Sequence, residues 1–239
     1  MEPSAQPELV IVMPIYNEAA NISDVIAEWL PVLEKTGVRF EMLTINDGSK
    51  DSTLEILNSL AEKYPGKITV LNKQNSGHGR SCRQGYEWAL KGPAQWVLQI
   101  DSDGQCNPEY FPTFWSQTAE ADCIFGSRTT RGDGYARKII SKTCGVLSSL
   151  VAGVNVQDAN VPYRLMRKTA LAEALTKVPA DFDVQNIALT VALKRCPNLR
   201  WKYVPIHFRN RQGGVNSIDL PKIARMGLAM LKELRRVKP

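Results

Sequence analysis

Two histidines, five cysteines and no long apolar run are what this 239-residue sequence has least of. His78 and His207 are too few and too widely separated to form a histidine-based metal site. The cysteines (Cys82, Cys106, Cys123, Cys144 and Cys196) are odd in number, scattered and contain no C-x-x-C. That disfavours a disulfide framework and a zinc site, and a reducing cytoplasm is the expected compartment. No stretch approaches the roughly 18 uninterrupted apolar residues of a membrane span. The opening "MEPSAQPELV" lacks a basic start and an apolar h-region, so it does not read as a signal peptide. There is no G-x-x-x-x-G-K-[ST], no nucleophile elbow and no Cys/His triad pattern. "SGHGRSCRQG" fails as a dinucleotide fingerprint, because Cys82 stands where the third glycine belongs and the segment follows the third strand.

What is present is ordinary globular composition, 44% hydrophobic and 23% charged, with an uneven charge. The net +6 is concentrated at the end: from Arg200 onward ten Lys/Arg face only Asp219 and Glu233, a local +8, while the first 199 residues sum to −2. An anionic partner is therefore expected at the C-terminal end, and no nucleic acid is expected. Apolar runs alternate with helical periodicity: strands over Leu9–Tyr16, Phe40–Asp47, "ITVLN", "QWVLQID" and "DCIFGSR", and helices over Asn21–Leu33, Ser52–Tyr64, Arg80–Lys91 and Pro108–Glu120. Further on, helices are expected over Ile139–Val154 and Val184–Lys194, an extended "VQDANVPYRLMRK" and a last strand in "LRWKYVPIHFR". This alternation predicts an α/β fold with a mainly parallel central sheet and helices on both faces.

In such sheets ligands sit at the carboxyl ends of the strands. There the sequence places "YNEA", "NDGSKDST" and "DSDGQ". Each alone could be a turn; three on one edge point to a site. Asp101 and Asp103, one residue apart, repel one another, and a divalent cation is the usual reason to keep both. Mg²⁺ or Mn²⁺ takes one or two carboxylates together with phosphate oxygens, so a D-x-D at a strand end suits a metal bridging a diphosphate.

"VIVMPIYNEAANI", "INDGSKDSTLEIL", "NSGHGRSCRQGYEWAL", "QIDSDGQCNPEYFP" and "CIFGSR" resemble, in order and spacing, the family 2 glycosyltransferases of GT-A fold, and within them the dolichyl- and undecaprenyl-phosphate sugar transferases. The resemblance is specific over residues 8–130 and looser through "DANVPYRLMRK" and "HFRNRQGGVNSI". It implies a flexible N-terminus over 1–8, a GT-A catalytic domain over 9–208, and a basic loop and amphipathic helix over 209–239. It implies an inverting, metal-dependent transfer of a sugar from a GDP- or UDP-linked donor to a polyprenyl phosphate. Asp101 and Asp103 would hold the metal; Pro14, Tyr16, Asn17, Glu18, Asp47, Gly77, Gly79, Arg83, Ser102 and the D-x-D pair would bind the donor. Asn46 stands where many members have Asp, and Gln105 gives the D-x-D-x-Q form of the lipid-phosphate branch. Arg128, Arg131, Arg137, Arg164, Arg209, Arg211 and Ser217 would receive the acceptor phosphate; "NVPYR" departs from the branch's usual Thr-Gly before the aromatic-Arg pair. Asp158 and Arg128 complete the implied catalytic set.

An anionic acceptor oxygen needs little help from a base, whereas two phosphorylated substrates must be held together against repulsion. The arginines flanking "RTTRGDGYAR" either form that clamp or make a solvated basic loop. Leu220, Ile223, Gly227, Met230, Leu234 and Val237 form a stripe between cations. It suits either an anionic membrane surface, peripheral at the inner face, or packing on the domain, on a membrane partner subunit or on a second copy. Two other functions fit the sequence: transfer to a sugar hydroxyl of a cell-surface polysaccharide, with Asp158 as base, or a non-catalytic GT-A-like subunit.

Overall fold

Leu9–Ile15 (β1) is buried along its whole length on both faces, the mark of a central strand in a parallel sheet. It lies between Phe40–Asp47 (β2) and Trp96–Gln99 (β4), parallel to both. Ile68–Lys73 (β3), Cys123–Thr130 (β5), Arg164–Arg167 (β6) and Trp201–His207 (β7) complete a seven-stranded sheet of order β3-β2-β1-β4-β6-β5-β7. The chain is seen in a computed structural model that describes residues 6–130, 149, 153, 160–182, 185–209 and 234–237. The expected helix over 139–154 lies almost wholly outside the described residues.

The helices are Ile22–Lys35 (α1), Thr53–Lys63 (α2), His78–Lys91 (α3), Phe111–Trp115 (α4), Lys168–Lys177 (α5) and Gln185–Arg195 (α6). α1 buries Ile22, Val25, Ile26, Trp29, Leu30 and Leu33, the three-to-four spacing of an amphipathic helix. It packs with α2 and α4, while α3 packs with α5 and α6. Trp29 meets Phe111 and Tyr163, and Phe114 lies 4.4 Å from Tyr163, an aromatic cluster under the first group. α3 seats directly on the sheet at Gly85: a Cβ there would stand 2.4 Å from Val12 Cγ1 and 2.6 Å from Ile45 Cδ1.

Four expectations change. β4 ends at Gln99, so Asp101 stands beyond the strand rather than in it. The helix expected over Pro108–Glu120 is a 3-10 turn and the five-residue α4, followed by turns. α5 follows β6 directly, past the end of the extended segment, where no helix was expected. The sheet is mainly parallel, as expected, with β6 running antiparallel to β4 and β5. Gln6–Glu8, expected to be loose, are tied down: Glu8 N–H donates to Arg39 O at 2.7 Å, and Arg39 Nε donates to Gln6 O.

Asp122 closes the start of the β5 ladder. Its carboxylate accepts from Arg167 Nε at 2.8 Å and from the backbone and guanidinium of Arg200, while Arg167 also lies over the Trp96 ring. Arg200, desolvation notwithstanding, and then Arg167 hold the carboxyl at about 2. A carboxyl depressed on folding stabilises fully above its ordinary value and loses that contribution as pH falls through the folded one. Asp122→Asn should therefore lower unfolding stability by about 1 kcal/mol at neutral pH, discounted because Arg200 is exposed. Urea titrations should show the difference from wild type shrinking between pH 4 and pH 2.

Candidate functional site

Because β3, β2, β1 and β4 are adjacent and parallel, their carboxyl ends deliver four loops to one edge. The first two loops are laced together. Asn17 N–H donates to Ser49 Oγ at 3.0 Å, and Lys50 N–H donates to Asn17 Oδ1 at 2.8 Å. Glu18 N–H donates to Thr53 Oγ1, and Ala19 N–H to Asp51 Oδ2. Asn17 adopts φ 54°, a left-handed conformation that Asn tolerates better than most residues. Gly48 has φ +66° and lies so close to the next loop that a Cβ would come within 2.7 Å of Asn75 N. Glycine is required there on both counts.

Asp47 pins that third loop. Its carboxylate accepts from Ser76 N–H and Gly77 N–H, both at 2.9 Å, and pairs with Lys73 Nζ. Lys73 also donates to Ser76 Oγ at 2.5 Å. Burial alone would push the Asp47 carboxyl up; Lys73 and the two backbone donors outweigh it and hold it below the usual range. Expected on the nucleotide, Asp47 instead spends both oxygens on the loop that begins α3. Asn46 likewise turns inward, donating to Asn72 Oδ1 at 2.8 Å.

Asp101 and Asp103 stand just past β4. Asp101 Oδ1 accepts from Gln99 Nε2 and from His78 Nε2, each at 3.0 Å. Asp103 Oδ1 accepts from Gln105 N–H at 3.1 Å, across a turn made at Gly104 with φ 75°. Gln105 Nε2 donates to Arg209 O, and Arg209 N–H returns to Gln105 O. His78 is half exposed; Cys82 and then Asp101 raise its pKa far above the ordinary value, against the desolvation that opposes them. No three His, Cys, Asp or Glu side chains cluster as a closed metal cage among the described residues. Two partly buried carboxylates on one turn are few, hard oxygen donors, and they fit Mg²⁺ or Mn²⁺ completed by phosphate oxygens.

The remaining expected residues divide. Pro14, Tyr16, Glu18, Ser102, Gly77 and Gly79 all lie on or beside the edge loops; Tyr16, 43% exposed, is the exposed large hydrophobic side chain among the described residues. Arg83, expected on the donor, lies within α3 and donates to Glu87 Oε1 and to Val178 O, both at 2.8 Å. Arg164, expected on the acceptor phosphate, is fully buried, donating to Val161 O, Asn186 O and Thr190 Oγ1 and lying over Phe125. It is a structural guanidinium. Arg209 pairs with Glu28 and donates to Asn107 Oδ1 at 2.9 Å. Arg128, partly exposed, lies over the Phe208 ring. Arg131, Arg137, Asp158, Arg211 and Ser217 lie outside the described residues. Sequence reasoning missed His78, Gln99 and Lys73; a histidine inside a glycine-rich loop that follows a strand was the one available signal.

The pin at Asp47 is testable. Its side chain is 4% exposed and that of Lys73 14%, so removing one partner strands a buried charge. Asp47→Ala should cost about 3 kcal/mol in denaturant unfolding. Hydrogen exchange should quicken at the Ser76 and Gly77 amides while the Asp122 region keeps its protection.

Known proteins resemble this chain in sequence and in fold. Residues 10–175 match Glycosyl transferase family 2. The chain is 27% identical over 220 residues to polyprenol monophosphomannose synthase of Mycolicibacterium smegmatis, covering 88% of this chain and 80% of that protein. It is 28% identical over 187 residues to undecaprenyl-phosphate 4-deoxy-4-formamido-L-arabinose transferase of Pectobacterium atrosepticum, covering 77% of this chain and 56% of that protein, little more than half its length. Among solved structures it is similar to glucosyl-3-phosphoglycerate synthase of Mycobacterium tuberculosis in complex with Mn²⁺, uridine diphosphate and phosphoglyceric acid (TM-score 0.68, 20% identity, 98% of this chain and 80% of that one). It is also similar to mannosyl-3-phosphoglycerate synthase of Rubrobacter xylanophilus (TM-score 0.64, 14% identity, 96% and 73%). The fold is GT-A, and the chain is a glycosyltransferase that belongs to Glycosyl transferase family 2.

Proposed function

We propose that this chain transfers a sugar from a nucleotide-diphosphate sugar to a polyprenyl phosphate, with inversion at the anomeric carbon. The observation that carries the reading is the Asp101–Asp103 turn, set on the edge where four loops converge. The names of two relatives supply the acceptor class, since both act on polyprenyl-type phosphates. An oxygen of the acceptor phosphate attacks the anomeric carbon as the bond to the donor's diphosphate oxygen breaks, and the nucleoside diphosphate departs with that electron pair. The attacking oxygen is already anionic, so no side chain has to remove a proton.

Asp101 and Asp103 would hold Mg²⁺ or Mn²⁺. When bound, the cation neutralises charge building on the departing diphosphate. Tyr16, Asn17 and Glu18 line the donor side, where the lacing to the second loop keeps them in place. On the acceptor side Arg128, partly exposed on β5, is the described candidate. Arg131, Arg137, Arg211 and Ser217 remain proposed partners of the acceptor phosphate.

No described helix is long and apolar enough to cross a membrane. A peripheral contact is proposed through the basic segment after Arg209, with one amendment. Leu234 and Val237 are buried, and Arg195 donates to Val237 O at 2.6 Å. Those two positions of the stripe pack on the domain and do not face lipid. Lys222 and Arg225 carry the proposal better, at roughly 1 kcal/mol per cation near an anionic surface.

Two outcomes follow. Asp103→Asn should abolish transfer with an unchanged circular dichroism spectrum, and wild type should lose transfer in excess chelator; full activity there would sink the metal reading. Reversing Lys222 and Arg225 to Glu should cut sedimentation with anionic vesicles at least tenfold at low salt and leave donor affinity unchanged. Equal sedimentation would move membrane contact elsewhere.

A further inference from the structure

The two oxygens of Asp101 have different surroundings. Oδ1 accepts from Gln99 Nε2 and from His78 Nε2, both at 3.0 Å. No hydrogen-bond donor among the described residues reaches Oδ2. The two donors come from different elements. Gln99 is the last residue of β4 and is fully buried, so its amide cannot swing away. His78 is the first residue of α3, and its ring is backed by Cys82 Sγ, 3.8 Å from each ring nitrogen. α3 is itself immobilised, by the close seat of Gly85 on Val12 and Ile45 and by the hold of Asp47 on Gly77 N–H. Rotating the carboxylate would break both hydrogen bonds at once.

We propose that His78 is a positioning residue for Asp101: together with Gln99 it withholds Oδ1, so that Asp101 presents one oriented oxygen, Oδ2, to the donor-bound cation. The inference rests on the metal-dependent reading above. It needs only an N–H on Nε2, which the neutral Nε2–H tautomer and the imidazolium both supply, so a second proton on Nδ1 is not required. The physical gain is preorganisation. A carboxylate held by outer hydrogen bonds meets the metal without first losing rotational freedom, and such partners commonly change metal affinity 10- to 100-fold. A carboxylate released from His78 could turn either oxygen to the cation and would also expose Gln99 Nε2 as its only remaining tether.

The test is Mn²⁺ binding by the full chain, read from the free Mn²⁺ paramagnetic resonance signal, with and without uridine or guanosine diphosphate. His78→Leu should raise the Mn²⁺ dissociation constant about tenfold or more. The melting temperature and the acceptor KM should stay close to wild type, and the donor KM should rise. His78→Gln, whose amide nitrogen can take the place of ring Nε2, should recover most of the lost affinity. If His78→Leu does not fold, His78→Asn serves instead, being polar but too short to reach Oδ1. Wild-type affinity in these variants, with affinity lost in Asp103→Asn, would overturn the inference and leave the metal reading standing. Failure of the wild type to take up Mn²⁺ even with nucleotide would overturn both.

Discussion

Parallel pairing of β1 with β2 and β4 is the constraint from which the site follows. Val12 lies opposite Gln99, Ile15 opposite Asn46, and on the next strand Asp47 lies opposite Lys73. Such a register sends every carboxyl end to one edge, and with it Asp47, Asp101 and Asp103. Carboxylates gathered on one edge raise each other's energy unless each has its own answer. Asp47 is answered by Lys73 from the neighbouring strand and by two backbone N–H groups. Asp101 is answered on one oxygen by His78 and Gln99. Asp103 accepts from the Gln105 N–H, so each carboxylate of the edge is held by a defined donor.

The parts of this arrangement that were legible in the sequence are those carried by neighbours along the chain. β1 reads as a strand because Leu9 to Ile15 form an unbroken apolar run, a signal independent of its partners. Asp101 and Asp103 read as a site because one residue separates them at the end of an apolar run. The pairing of His78 with Asp101 spans 23 positions and two elements, so no local pattern contains it. The same limit explains Arg164. An arginine after an aromatic residue looks available on paper. Only the arrival of α6, which brings the Asn186 carbonyl and Thr190 to within 2.7 and 3.1 Å, makes it a buried crosslink. The antiparallel β6 was hidden for a related reason: strand direction is set by the path of the connecting chain, and not by the apolar pattern of the strand itself.

Gly85 and Gly48 show how little sequence information a close approach can require. Neither carries a reactive group, yet one lets α3 lie against β1 and β2 and the other lets the second loop touch Asn75. Both act on the same object, the start of α3, which carries His78. The position of that imidazole is therefore the joint product of a glycine seat, a buried Asp47–Lys73 pair and the register of three strands. Few of these contacts touch the D-x-D turn, but each helps fix where the donor to Asp101 stands.

The opposite wall of the turn is built by Gln105. Its side chain donates to Arg209 O at 3.1 Å, and its own carbonyl accepts from Arg209 N–H at 3.3 Å. Arg209 opens the most basic part of the chain, and its guanidinium is anchored in turn by Glu28 on α1 and by Asn107. The glutamine two residues after Asp103 thus couples the acidic turn to the root of the basic segment through main-chain-level bonds. An electrostatic partner drawn to the C-terminal cations would act on residues whose first member is already fixed against the D-x-D loop. Opposite charges serve two ends of one short connection, and Gln105, which carries no charge, sets the distance between them.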